Sequence, residues 1–93
     1  MNYKYLIHHG IDNAGVAVQY LKSNEKIAGI VMEKNKEVTI TPICDIAFGH
    51  KIALVNIKSG APIIKYGEKI GNATKDINKG EWIHTQNLKS ARW

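Results

Sequence analysis

The side chains able to do chemistry fall in three short clusters: Gly49-His50-Lys51, Lys65-Tyr66-Gly67 and Gly80-Glu81-Trp82-Ile83-His84-Thr85-Gln86-Asn87. A fourth, His9-Gly10-Ile11-Asp12-Asn13, lies near the start of the chain. Each sits where a short β-like run meets a turn. The imidazole of His50 is suited to moving a proton near neutral pH, and the Lys51 ammonium to holding a carboxylate as a point charge. Neighbours on an extended strand point to opposite faces, so these two serve one site only if a turn or bulge separates them. If residues 82–86 are a strand, His84 and Gln86 share a face, and one imidazole with one amide is a poor metal site unless another chain adds ligands. Tyr66 offers a phenol to a hydroxylated ligand, or packs with its OH at the rim. Asp12 and Asn13 either meet a ligand or cap a turn, and His9 either reaches the same site or stands on the surface. His8 alternates away from His9 and has no separate case. Used together, these groups must gather at one rim of a compact sheet scaffold.

The elements that would position them read as short strands. Residues 3–8 are dense in aromatic and branched side chains, 27–32 form a further strand, and 36–41 alternate after a Lys-Asn-Lys turn, which makes a β-hairpin. Residues 14–18 are a small-residue apolar run whose periodicity fits a buried strand or a helical turn equally. Pro42 ends a strand or marks an edge. Residues 54–57 and 61–66 follow as strands around Ser59-Gly60, and 82–86 as the last one, before an Asn-Leu-Lys-Ser tail without a core pattern.

One phrase recurs four times: Leu21-Lys-Ser-Asn24-Glu-Lys-Ile27, Ile46-Ala-Phe-Gly49-His-Lys-Ile52, Ile57-Lys-Ser-Gly60-Ala-Pro-Ile63 and Ile77-Asn-Lys-Gly80-Glu-Trp-Ile83. Asp45, Asn56 and Asp76 precede three of the copies. The physical reading is an aliphatic anchor, a Gly or Asn in the left-handed conformation that reverses the chain, and an Ile that re-enters the core. Gly-centred turns are common enough in β-proteins to look alike by chance. The copies are 25, 11 and 20 residues apart, too irregular for a solenoid.

A chain of 93 residues with 44% hydrophobic content holds one domain (1–93) with one modest core. Its Ile- and Val-rich apolar set favours sheet. The expectation is an all-β domain of short strands and long bent hairpins. A β-rich domain this small commonly leans on a partner, either a larger chain or further copies of itself. The single Cys44 excludes an internal disulfide, and no Cys/His zinc spacing is present. A reducing cytoplasm fits, since Met1 to Tyr5 lacks the pattern of a signal peptide and no run approaches the length of a membrane span. The net charge of +5 permits anionic partners, but the Lys and Arg are scattered singly around turns and are not interleaved with stacking aromatics, which argues against nucleic acid.

At Gly49-His50-Lys51-Ile52-Ala53-Leu54, Ile63-Ile64-Lys65-Tyr66-Gly67-Glu68-Lys69-Ile70-Gly71, Gly80 to Asn87 and His9 to Asn13, the sequence resembles the SAF domain of the altronate and galactarate dehydratases. The resemblance covers nearly the whole chain, with four motifs in order. It departs where Gln86 stands in place of a second histidine and where Ala14 stands in place of a branched residue. The resemblance implies a β-clip fold serving as the small or N-terminal part of a sugar-acid hydro-lyase such as altronate dehydratase. The sulfolactate sulfo-lyase small subunit belongs to the same group. Larger members carry a catalytic domain on the same chain, so a separate large catalytic subunit is expected as partner here, with a hexonate-type carboxylate as substrate and no activity in the small chain alone. A divalent metal, usually iron, accompanies the family; His84 is the candidate ligand, and the large subunit can be its main holder. On this reading His50, Lys51 and His84 are catalytic, and His9, Asp12, Asn13, Lys65 and Tyr66 bind substrate. A non-enzymatic carbohydrate-binding or chaperone-like module is the competing class.

Overall fold

In a computed structural model, residues 3–90 are described. Met1 and Asn2, the start of the segment expected to lack a signal peptide, and residues 91–93 lie outside them. The described residues form nine strands and no helix: β1 (Tyr5–Ile7), β2 (Ala14–Ala17), β3 (Ile27–Val31), β4 (Lys36–Ile40), β5 (Lys51–Ala53), β6 (Pro62–Lys65), β7 (Glu68–Ala73), β8 (Trp82–Ile83) and β9 (Leu88–Ser90). Six make one sheet in the order β4-β3-β1-β2-β5-β8, and three make another in the order β6-β7-β9. The ladders are antiparallel except for β1 against β3, which is parallel.

The recurring phrase organises this architecture, because its copies pair off. The Leu21 and Ile46 backbones bond reciprocally at 2.8 and 2.9 Å, and those of Ile57 and Ile77 do so at 2.8 Å in both directions. The fourth residue of each copy, Asn24, Gly49, Gly60 or Gly80, has a positive φ of 66, 85, 87 or 87°. Its N–H bonds the carbonyl four residues before the partner's anchor: Asn24 to Pro42, Gly49 to Ala17, Gly60 to Ala73 and Gly80 to Ala53. The residues ahead of the anchors join in. Asp45 accepts the Ser23 N–H at 2.9 Å, Asp76 that of Ser59 at 2.8 Å, and Asn56 that of Lys79 at 2.8 Å. The irregular spacing has a simple cause: a hairpin separates the two members of each pair, β3–β4 in the first and β6–β7 in the second.

Each pair builds its own core. Leu21, Ile27, Ile46 and Ile52 pack with Tyr5, Ile7 and Ile40, while Ile57, Ile63, Ile77 and Ile83 pack with Ala14, Ala53 and Ala73. Burying each aliphatic side chain contributes roughly 1.5–3 kcal/mol, so these eight anchors dominate the apolar stabilisation.

One open expectation is decided and four change. Residues 14–17 resolve as a buried strand, because their edges are taken by β1 on one side and β5 on the other. The strand expected at 54–57 lies at 51–53, since Ile57 belongs to the second pair of turns. Residues 68–73 form a strand that sequence reading missed, and the tail at 88–90 pairs with it although it carries no alternating pattern. The last strand stops at Ile83 because a tight turn follows, with the Asn87 and Leu88 N–H groups both bonding the His84 carbonyl.

Candidate functional site

The expected site residues form two groups at opposite ends of the β2–β5 ladder. At one end the Ala17 N–H bonds the His50 carbonyl at 2.8 Å; at the other the Leu54 N–H bonds the Asn13 carbonyl at 2.9 Å. Four residue steps of extended chain, about 13 Å, separate His50 from Leu54. His50 and His84 belong to the first end, and His9 to the second. Within this chain the three histidines therefore do not gather at one rim.

At the first end, the β5–β8 ladder pairs Lys51 with Ile83 and Ile52 with Trp82, and one step further out it brings His50 opposite His84. Their ring centroids are 5.5 Å apart. Trp82 completes the group: its indole stacks on His84 at 5.1 Å and an interplanar angle of 11°. Its Nε1–H donates to His50 Nδ1 at 3.0 Å. An indole nitrogen can only donate, so Nδ1 of His50 is the acceptor in this contact and Nε2 carries the ring N–H. Lys51, the expected partner of His50, pairs with Val16 and Ile83 and so faces away from Trp82 and the two imidazoles. The β5 backbone is regular there, and the turn at Gly49 comes one residue too early to bring both side chains to one face.

Asn87 holds the turn after His84 together. Fully buried, it accepts the His84 N–H at 2.9 Å through Oδ1 and donates through Nδ2 to the Trp82 carbonyl at 2.8 Å and to Glu81 Oε2 at 3.3 Å. Gln86, expected beside His84 on a strand, lies in this turn and donates to the Trp82 carbonyl at 3.3 Å.

At the second end, β6 and β7 are joined by the two-residue loop Tyr66-Gly67. Both residues have positive φ, 58 and 73°, the geometry of a type I′ turn. An aromatic residue there costs about 1–3 kcal/mol and needs an external tie. Asp12 supplies it: its carboxylate accepts the Tyr66 N–H at 3.0 Å, the Gly67 N–H at 2.8 Å and the His9 N–H at 3.2 Å. Asn13 clamps the base of the same hairpin, accepting the Ile64 N–H at 2.7 Å and donating to the Pro62 carbonyl at 3.0 Å. The side-chain polar atoms of Asp12 and Asn13 are thus engaged by backbone, and their contribution to any ligand is to position the hairpin tip.

The His9 ring lies against Gly67, and its Nδ1 is 3.1 Å from Glu33 Oε2. Glu33 also accepts the Gly10 N–H at 2.7 Å; that bond first, and His9 second, hold its carboxyl below the usual range. Lys65 follows Ile63 onto the buried face of β6, and its Nζ stands 3.6 Å from the centroid of the Tyr66 ring. His8, which had no case from sequence, packs its ring 4.1 Å from the same phenol. The signal for His8 and Trp82 was absent from spacing because both act through rings contributed by distant segments.

Among the described residues no group of three His, Cys, Asp or Glu side chains could hold a metal ion. His50 and His84 offer two imidazoles where structural and catalytic sites use three or four protein ligands. The donor set of the described residues alone does not make up a divalent-metal site.

Two pairs of turns and two small sheets define a small single all-β domain. The altronate/galactarate dehydratase SAF domain matches residues 3–91, and the chain belongs to that family. It is 29% identical to the (2R)-sulfolactate sulfo-lyase subunit alpha of Chromohalobacter salexigens over 94 aligned positions, covering 100% of both chains. With the subunit of the same description from Paracoccus pantotrophus it shares 41% identity over 64 residues, 69% of this chain and 96% of that one. The altronate dehydratase of Escherichia coli is 37% identical over 87 residues, 94% of this chain but 16% of that enzyme.

Proposed function

We propose that the chain is the small subunit of a two-subunit lyase acting on a small 2-hydroxy carboxylate, of the (2R)-sulfolactate sulfo-lyase kind. The observation that carries this reading is the end-to-end alignment with a subunit alpha of that enzyme. The altronate dehydratase match supports a second reading, the same role in dehydrating a hexonate-type sugar acid. In both, we read the doubled turn architecture as a β-clip, the partner as a large catalytic subunit, and the setting as the cytoplasm. Any divalent metal, such as iron, belongs mainly to that subunit.

Elimination from such an acid removes the proton on the carbon bearing the carboxylate and breaks the bond to the leaving group on the next carbon. Sulfite or hydroxide departs with the bonding electron pair, and the enol left behind tautomerises to a 2-keto acid. Negative charge builds on the carboxylate as the proton leaves, and hydrogen-bond donors placed there lower the barrier. With Nδ1 committed to the indole, His50 presents Nε2–H and acts as such a donor rather than as a base. His84, exposed beside it, is the group free to move a proton. Lys51, on the other face of β5, serves the partner interface in this scheme.

The test is co-expression with a candidate large subunit, followed by assays for sulfite release from (2R)-sulfolactate and for 2-keto acid from altronate. Sulfite release by the pair, and by neither chain alone, is expected. Altronate turnover without sulfite release replaces the first reading with the second. Full activity of the isolated chain overturns the subunit role.

A further inference from the structure

The charge of Lys65 is unusual in this molecule. The residue is 7% exposed, yet the ion pairs among the described residues are Lys4–Glu25 and His9–Glu33, and neither involves it. Glu68 stands opposite it across the β6–β7 ladder but is in neither ion pair, and Asp12 directs its carboxylate at three backbone N–H groups. The Lys65 stem is buried because β6 alternation places it behind Ile63, and the ammonium emerges over the Tyr66 ring. On that ring also rests His8. Burial first, and then the Lys65 charge, hold the His8 imidazole below its usual range, so near neutral pH it is an uncharged ring beside an ammonium. A lysine in neither of those ion pairs, with its stem buried and its ammonium emerging against a phenol that also carries an imidazole, is arranged for a negatively charged group from outside.

We infer that Lys65, His8 and Tyr66 form a subsite for a small oxyanion, the carboxylate or sulfonate end of a metabolite. Lys65 supplies the charge, and the His8 ring and the Tyr66 hydroxyl supply hydrogen bonds. Asp12 is a positioning residue, since it holds the Tyr66-Gly67 turn that carries the phenol. The subsite is separate from the His50–His84 pair by the length of the β2–β5 ladder, so the two meet different groups or different molecules. The identity of the anion rests on the lyase reading; the subsite itself rests on the geometry.

The experiment titrates the isolated full chain with sodium acetate, sodium methanesulfonate and, as an ionic-strength control, sodium chloride, read by amide and imidazole NMR shifts. Saturable shifts at Tyr66, Gly67 and His8 with acetate or methanesulfonate, and not with chloride, are expected. The stronger of the two ligands identifies the group preferred. Lys65→Met, which keeps the buried stem, weakens binding by about tenfold or more, His8→Leu weakens it less, and Lys58→Met on the exposed surface leaves it unchanged. Shifts that do not saturate, or that survive in Lys65→Met, overturn the inference. So does the result that the chain binds neither anion while Lys65→Met weakens assembly with the large subunit, because a partner's acidic side chain then fills the place. A chain that binds but supports no lyase activity removes the functional reading alone; an active pair with no anion binding removes this one alone.

Discussion

The Asp12 carboxylate accepts the Tyr66 N–H at 3.0 Å across a separation of 54 residues. That bond, with its neighbour to Gly67 at 2.8 Å, ties the loop after β1 to the tip of the β6–β7 hairpin. It fixes an aromatic residue in the left-handed conformation, and its removal leaves both a strained turn and part-buried donors without acceptors.

Asp12→Asn is therefore expected to cost at least about 2 kcal/mol in urea unfolding, because an amide offers one acceptor and adds a donor facing other donors. Tyr66→Gly in that background relieves the turn and recovers part of the loss. Full stability of the single variant would contradict the tie.

Trp82→Phe keeps the stacking surface on His84 and removes the Nε1–H that fixes His50. The loss of stability is expected to be about 1 kcal/mol. The diagnostic change is in imidazole nitrogen NMR, where His50 passes from the Nε2–H tautomer to a mixture, and in the reconstituted enzyme turnover falls while the fold persists.

Two carboxylates make stability depend on acid. The Gly10 N–H and then His9 depress Glu33 below its ordinary 4.5, and the Ser23 N–H and then the Tyr20 hydroxyl depress Asp45 below its ordinary 3.8. A depressed folded-state pKa gives stabilisation that is present above the ordinary value and lost as pH falls through the lower one. The urea midpoint should drop on acidification below pH 4.5, and Glu33→Gln with Asp45→Asn should flatten that drop.

Tyr5 acts at the other extreme. Burial pushes its phenol up to about 12 from 10.0, so the neutral ring stabilises the fold fully below pH 10.0, and that contribution is lost as pH rises toward 12. Tyr5→Phe should remove this alkaline limb from the curve of urea midpoint against pH.

The paired turns can be ranked by glycine substitution. At Gly60, with φ of +87°, nothing lies within 4 Å of an added Cβ, whereas at Gly80, also +87°, the Thr41 carbonyl oxygen would stand 2.6 Å away. Gly60→Ala is expected to cost about 1–2 kcal/mol for the left-handed backbone, and Gly80→Ala about 1–3 kcal/mol more for the clash. Thermal melts of the two variants should separate by several degrees.

The amino-acid sequence by itself determined the all-β character and the four turns. A positive φ at Asn24, Gly49, Gly60 and Gly80, and an aliphatic residue three positions to either side, are local demands that residue types meet without reference to the rest of the chain. The four motifs of the SAF family were legible for the same reason, as short contiguous strings. Tertiary structure alone decided which turns pair. The Leu21–Ile46 and Ile57–Ile77 bridges are long-range choices set by where the intervening hairpins fold back. It also decided that His50 meets His84 through Trp82 while Lys51 turns away, and that Lys65 and His8 both meet the ring of Tyr66. Strands β7 and β9 escaped sequence reading because Lys69, Asn72 and Lys89 break the alternation, and pairing between the two strands supplies the order that their own side chains do not.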